Sequence, residues 1–213
     1  MTKLASAVPM AQHQLSVLLA LIAFGLWISP ARSTGLVDAQ AERSATVIDK
    51  DELQKQVERE IRNFRSARIS LRQALSIAQS HLPKSRVVDI SFNQEDKSAP
   101  VYLIKSVQGD TLWELPVDAN SGEALENATR TSTKDLDRES QANLMAFRVI
   151  RQEMIEAVKI AEGGSSGKAI SAGLLNEGGR LSFSVVVVAG EDLKQVILEP
   201  PLPSGRNSKY LRR

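Results

Sequence analysis

Reactive side chains that could carry chemistry are few in this chain. Its 213 residues include no cysteine and two histidines, His13 and His81. That removes thiolate metal sites, cysteine nucleophiles and disulfides, and with them multi-histidine centres and His-paired nucleophiles. The run Gly163-Gly164-Ser165-Ser166-Gly167-Lys168 invites comparison with a phosphate-binding loop. Such a loop needs glycine five places before the Gly-Lys pair and Ser or Thr after it, where this chain has Glu162 and Ala169. A helix-to-strand turn is predicted instead. Asp118-Ala119-Asn120-Ser121-Gly122 begins like a calcium loop, but its glycine falls one place early and Thr129 stands where a bidentate carboxylate belongs. A tight turn is the better account, with Gly122 left-handed and Asp118 or Asn120 bonding the local backbone. Asp89, Glu114 and Asp118 are available carboxylates, yet nothing in the sequence pairs them for acid–base work. No catalytic, cofactor-binding or metal-ligating residue is assigned, and no cofactor is expected.

The totals describe an ordinary globular chain, 24% charged and 42% hydrophobic. The formal charge of +2 is carried by Lys3 and Arg32, the only charged residues before Asp38. A chain beginning after Ser33 is neutral overall, which argues against nucleic acid as a partner.

Hydrophobic period places the elements that any site must ride on. Ser70 and Gln73 have capping-box spacing ahead of an apolar helical stripe, and Pro83 stops that helix. Val88, Ile90 and Phe92 alternate with polar residues, as do Trp113, Leu115 and Val117, the period of half-buried strands. Tyr102 and Trp113 are in phase with the apolar residues and are predicted to pack inward, while Pro116, out of phase, marks an edge strand or a bulge. His81, in the last turn of the helix, is read as a cap.

The Ile69-Ser70-Leu71 opening, the Ala74-Leu75-x-Ile77-Ala78 helix, the Val101-Tyr102 strand and the closing Val117-Asp118-Ala119-x-Ser121-Gly122-Glu123 turn together resemble the PepSY domain family. Ser121 stands where that family usually carries threonine. The resemblance implies a small α+β module outside the cytoplasmic membrane, known from the propeptides of thermolysin-type metallopeptidases and suspected of restraining peptidases. It implies no active site.

A second, degenerate copy is predicted further on. Ala157, Val158, Ile160 and Ala161 correspond to Ala74, Leu75, Ile77 and Ala78, and Ile170, Ala172 and Leu174 to Val88, Ile90 and Phe92, at an offset sliding from 83 to 81 residues. Leu144, Phe147, Met154, Val158 and Ala161 fall on one helical face that Gly163-Gly164 should end. The closing turn of this copy has decayed to Glu199-Pro200-Pro201, and Lys194 replaces Trp113. The expected fold class is α+β, with two such repeats, each a helix packed on a small antiparallel sheet. Units of about 60 residues bury too little alone, so the repeats should pack on each other or share the helix between them. Val185 to Val188 has no polar face, so something should cover both sides of that strand.

The expected organisation is a signal peptide over 1–33, an amphipathic helical spacer over 42–68, repeat 1 over 69–126, a polar linker over 127–143, repeat 2 over 144–203 and a basic tail over 204–213. Leu15 to Ile28 is a 14-residue apolar run, short of the about 20 that span a bilayer and suited to a secretory h-region. Cleavage would follow Ser33, or Ala41 at the latest; an uncleaved run would be an anchor. No cysteine follows it, which excludes a lipoprotein. Leu53, Val57, Ile61 and Phe64 form the apolar stripe of the spacer helix.

The reading is a non-enzymatic exported module, periplasmic or extracellular, that binds a protein partner such as a peptidase. Val101, Leu103 and Val107 are the candidate partner-binding residues, as a sheet edge for strand addition or an apolar outer face. The alternative is a sensory or structural accessory domain anchored in the cytoplasmic membrane by Leu15 to Ile28, the one way in which a membrane is implied. An enzyme is the weakest option.

Overall fold

The computed structural model describes residues 50–94, 98–125 and 128–201. The apolar run Leu15 to Ile28, both cleavage positions and the basic tail lie outside them. No helix among the described residues is long and apolar enough to cross a membrane.

The chain runs α1 (Lys50–Ser66), α2 (Leu71–His81), β1 (Arg86–Asn93), β2 (Val101–Gln108), β3 (Thr111–Asp118), β4 (Thr129–Ser132), a short 3-10 turn at Thr133–Asp135, α3 (Arg138–Phe147), α4 (Met154–Ser165), β5 (Lys168–Glu177), β6 (Arg180–Ala189) and β7 (Asp192–Leu198). The fold is α+β. Its seven strands form one antiparallel sheet in the order β4-β3-β2-β1-β5-β6-β7.

Local chemistry explains the helix ends. The Ser70 hydroxyl accepts from the Gln73 amide while the Gln73 side chain accepts from the Ser70 amide, the reciprocal cap expected of that spacing. At the start of α4 the Glu156 carboxylate accepts from the Glu153 amide at 3.0 Å, with the spacing of a second capping box. That second box breaks what the apolar stripe predicts as one helical face from Leu144 to Ala161. The chain forms two helices: Glu153 takes an extended N-cap conformation, and the Glu156 carboxylate satisfies its amide, so the helical path is broken there. At its other end α4 continues through Gly163 and Gly164 to Ser165, two residues beyond the predicted stop, and closes on Ser166 in the left-handed conformation. The polar stretch after 127 contributes β4 and the start of α3, capped by Asp137 through the Ser140 amide.

One face of the sheet carries the helices. Ile90, Phe92, Tyr102, Ile104, Leu115, Val117, Ala172, Phe183 and Val185 share that face by register and are all buried. Against them pack Leu71, Ala74, Leu75 and Ala78 of α2 and Met154, Ala157, Val158 and Ala161 of α4. Tyr102 is wholly buried, and its hydroxyl donates to the Ile69 carbonyl at 2.7 Å, fixing the entry of α2. Trp113 is only half-buried. Pro116 pairs with Leu103 on β2, lies beyond the reach of β4, and accepts from the Leu125 amide at 2.9 Å through its carbonyl.

Two small sheets do not form. Instead β1 and β5 pair edge to edge, antiparallel, with Ile90 opposite Ala172 and, on either side, Asp89 opposite Gly173 and Ser91 opposite Ser171. Joining the edges removes one open strand edge from each half and needs no second layer. The halves have the same order of elements, two helices and three consecutive antiparallel strands, and β4 adds to the first alone.

Each half also grips the other by an arginine at the end of its first helix, next to a phenylalanine that packs on a strand of its own half. Phe64 of α1 meets Phe92 edge-on at 5.5 Å, and Arg65 bonds the Gly190 carbonyl and the Glu191 carboxylate (3.0 Å) in the β6–β7 turn. Phe147 of α3 meets Phe183 edge-on at 6.1 Å, and Arg148 bonds the Gly109 carbonyl (3.2 Å) and the Asp110 carboxylate (2.9 Å) in the β2–β3 turn. Both turns begin with a glycine at positive φ, as two-residue hairpins require.

Candidate functional site

The candidate site is the sheet face turned away from the helices. Val101, Leu103, Lys105 and Val107 alternate along β2 with the buried Tyr102, Ile104 and Ser106, so they point to this opposite face, and all four are half-buried. β2, however, is paired on both sides, with β1 and with β3. It has no free edge, so strand addition at Val101 to Val107 is ruled out, and those residues can serve a partner only through their side chains.

A charged row crosses the same face. Asp89, Lys105 and Glu114 stand side by side on β1, β2 and β3, with Gly173 on the far side of Asp89 and Thr129 beyond Glu114. Lys105 Nζ lies 3.9 Å from Glu114 Oε2. A Cβ at position 173 would sit 2.9 Å from Asp89 Oδ2, so glycine leaves the room that the carboxylate occupies. Burial pushes the Asp89 carboxyl up to about 6, opposed by the attraction of Lys105 and assisted by the repulsion of Glu114. The face therefore combines apolar side chains with a row whose net charge changes in mildly acidic conditions.

This has a consequence for stability. A carboxyl whose pKa in the fold exceeds its unfolded value of 3.8 takes up a proton on folding. Its contribution to stability is fully present below the unfolded value and is lost as pH rises through about 6. Glu60, pushed up to about 7 by burial, acts in the same direction. Asp89→Asn is expected to stabilise the fold at neutral pH by about 2 kcal/mol and to flatten the gain in stability on acidification. Urea midpoints for both proteins across that pH range check it; parallel curves would contradict it.

The other residues singled out by sequence serve structure. Asp118 accepts from the Asn120 and Ser121 amides at 2.8 and 2.7 Å, and these bonds, that from Ser121 foremost, hold its carboxyl below the usual range. Gly122 takes φ +78°, and the Ala119 carbonyl of the same turn accepts from the Arg68 and Ile69 amides. The turn is thus a clasp on the start of α2. His81 is exposed at the end of α2. Among the described residues, Asp89, Glu114 and Asp118 do not converge: the first two share the charged row across Lys105, and the third lies in the turn. No group of three metal-ligating side chains occurs among the described residues.

A groove on the helical side, about 870 Å³, runs between α2 and α4 and is lined by Ile69, Gln73, Ile77, Gly122, Ile155 and Lys159 among others. Sequence reasoning missed it, because its two walls lie in different halves of the chain. Arg72 and Glu162, 3.0 Å apart, link the same two helices.

No curated protein matches this chain. Among solved structures, that of a candidate lipoprotein from Clostridium difficile 630 is similar at 17% identity over 63% of this chain and 88% of its own, with a TM-score of 0.35. Residues 68–127 match the family model described as "Peptidase propeptide and YPEB domain", which spans α2 through the β3 turn, and that segment of the chain is a PepSY domain.

Proposed function

We propose that this protein is a non-catalytic module of the cell envelope that binds another protein and restrains or regulates a peptidase. The observation that carries the reading is the PepSY match over residues 68–127, a domain of peptidase propeptides and regulatory modules. The second half is a degenerate copy of the same unit. In support, Phe64-Arg65 and Phe147-Arg148 recur at the 83-residue offset of the helices, and in each pair the Phe packs on a strand of its own half while the Arg bonds a hairpin turn of the other. The partner-facing surface is the side of the sheet bearing Val101, Leu103 and Val107 around the Asp89–Lys105–Glu114 row.

Titrating the purified chain into the peptidase activity of the envelope fraction of the producing cell tests this. The expected result is a stoichiometric fall in peptide cleavage, relieved by Leu103→Glu. That substitution places a charge among half-buried apolar residues on the outer face and leaves the helical core intact. Undiminished cleavage at saturating protein contradicts the reading.

A further inference from the structure

The sheet is finished differently at its two ends. At one end β4 covers β3, with Thr111 opposite Ser132 and Glu114 opposite Thr129. At the other, β7 holds the place in the second half that β3 holds in the first, and among the described residues no strand lies against its outer side. An open edge of seven residues is a template for another strand. We infer that β7 pairs with β7 of a second copy of this chain, antiparallel, about a two-fold axis through Gln195.

The register follows from geometry. A sheet that continues through the axis with both helical layers on one side needs a residue of β7 to face its own copy, since a one-residue slip turns every side chain over. Gln195 is the midpoint of Asp192–Leu198, so centring there pairs the whole strand. Leu193 then faces Ile197, which is 48% exposed in the single chain, on the side away from the helices. Lys194 faces Val196 and Asp192 faces Leu198, so no charge within the strand opposes its like. Centring on Lys194 would oppose two ammonium groups, and centring on Val196 would set Leu193 against Glu199. Just beyond the strand ends Glu191 and Glu199 come opposite, and each already has a cation: Arg65 at 3.0 Å and Arg180 at 3.8 Å. The molecule uses the same kind of pairing at its own centre, where β1 and β5 meet in a register symmetric about Ile90 and Ala172. The resulting contact is isologous and closes on itself, leaving β7 with no free edge.

This inference is independent of the peptidase reading, and its test involves no peptidase. The chain has no native cysteine to compete, so a single introduced thiol reports the register. Residues directly opposite across an antiparallel pair have Cβ atoms about 4.5–5.5 Å apart, near disulfide range. Gln195→Cys should cross-link under mild oxidation into a dimer. Asp192→Cys, whose copy lies at the far end of the pair, should not. Light scattering should give twice the chain mass for the unaltered protein and a single mass for Ile197→Lys, with unchanged circular dichroism because Ile197 is a surface residue. An unaltered chain that stays single at every attainable concentration overturns the proposal, as does equal cross-linking of the two cysteine variants. A single chain whose β7 amides are nevertheless slow to exchange assigns the edge to a different occupant and overturns it equally.

Discussion

Arg86→Ala is expected to lower the unfolding free energy by about 3 kcal/mol, the scale for removing one partner from a largely buried, charge-assisted network. Arg86 opens β1, and each of its three guanidinium nitrogens bonds the other half of the chain. Nε bonds Glu153 Oε1 at 2.8 Å, Nη1 the Phe147 carbonyl at 2.9 Å and Nη2 the Gln152 carbonyl at 3.1 Å, while the group stacks 3.9 Å above the Phe147 ring. Those carbonyls belong to the break between α3 and α4, where the backbone has left the helical path and needs donors. Truncation leaves the carbonyls and the Glu153 carboxylate short of partners, besides losing the stacking on Phe147. Arg86→Lys should recover less than half of the loss, since one ammonium cannot reproduce a planar fork. Chemical denaturation of the three proteins reads the effect; a lysine variant as stable as the parent would show that charge alone suffices.

Gly167→Ala is expected to be at least as damaging, although it adds a single methyl group. Gly167 lies in the turn from α4 to β5, and a Cβ there would come within 2.4 Å of the Val188 carbonyl oxygen and 2.6 Å of Val187 Cγ1. Neither neighbour is free to give. Val187 and Val188 are buried in β6, and their backbone is held by pairing with β5 on one side and β7 on the other. Relief must come from moving the strand, at about 3 kcal/mol, or roughly 6–12 °C in Tm for a body of this size. Gly163→Ala supplies a control of opposite sign. It is a helical glycine with open space around its Cβ position, so alanine should stabilise by about 0.5–1 kcal/mol. Thermal unfolding that ranks the two variants the other way would refute the packing account of the turn.

What sequence could show divides along physical lines. Period-two alternation marks the inward phase of β1 and β3 correctly, and the Ser70-x-x-Gln73 spacing places the start of α2 to the residue, because both signals are local. The glycine-rich run near Gly167 is properly a turn. Its need for glycine is set by a strand some 20 residues away in sequence, which no local pattern reports. Strand addition at Val101 to Val107 fails because alternation tells which way a side chain points, and not how many neighbours a strand has; β2 has two. The joining of β1 to β5 was hidden for the same reason, since pairing partners are chosen by long-range closure. Two signals were present in the letters. Glu153-x-x-Glu156 has capping-box spacing that splits α3 from α4, and Phe64-Arg65, ahead of the expected boundary at 69, repeats as Phe147-Arg148 at the offset of the helices. The candidate surface was legible in part. Its apolar residues stand out by phase, but the Asp89–Lys105–Glu114 row exists only once β1, β2 and β3 are set in register.

The central claim is that the two halves, joined through β1 and β5 and by the exchanged Arg65 and Arg148 contacts, are one cooperative body that presents the opposite sheet face as a single surface. Native-state hydrogen exchange on Gly167→Ala tests it most directly, because that substitution strikes only the second half. The account predicts that the slowest amides of β1, β2 and β3 lose the same opening free energy as those of β5, β6 and β7. Loss confined to β5, β6 and β7, with the first half still protected as before, would contradict it.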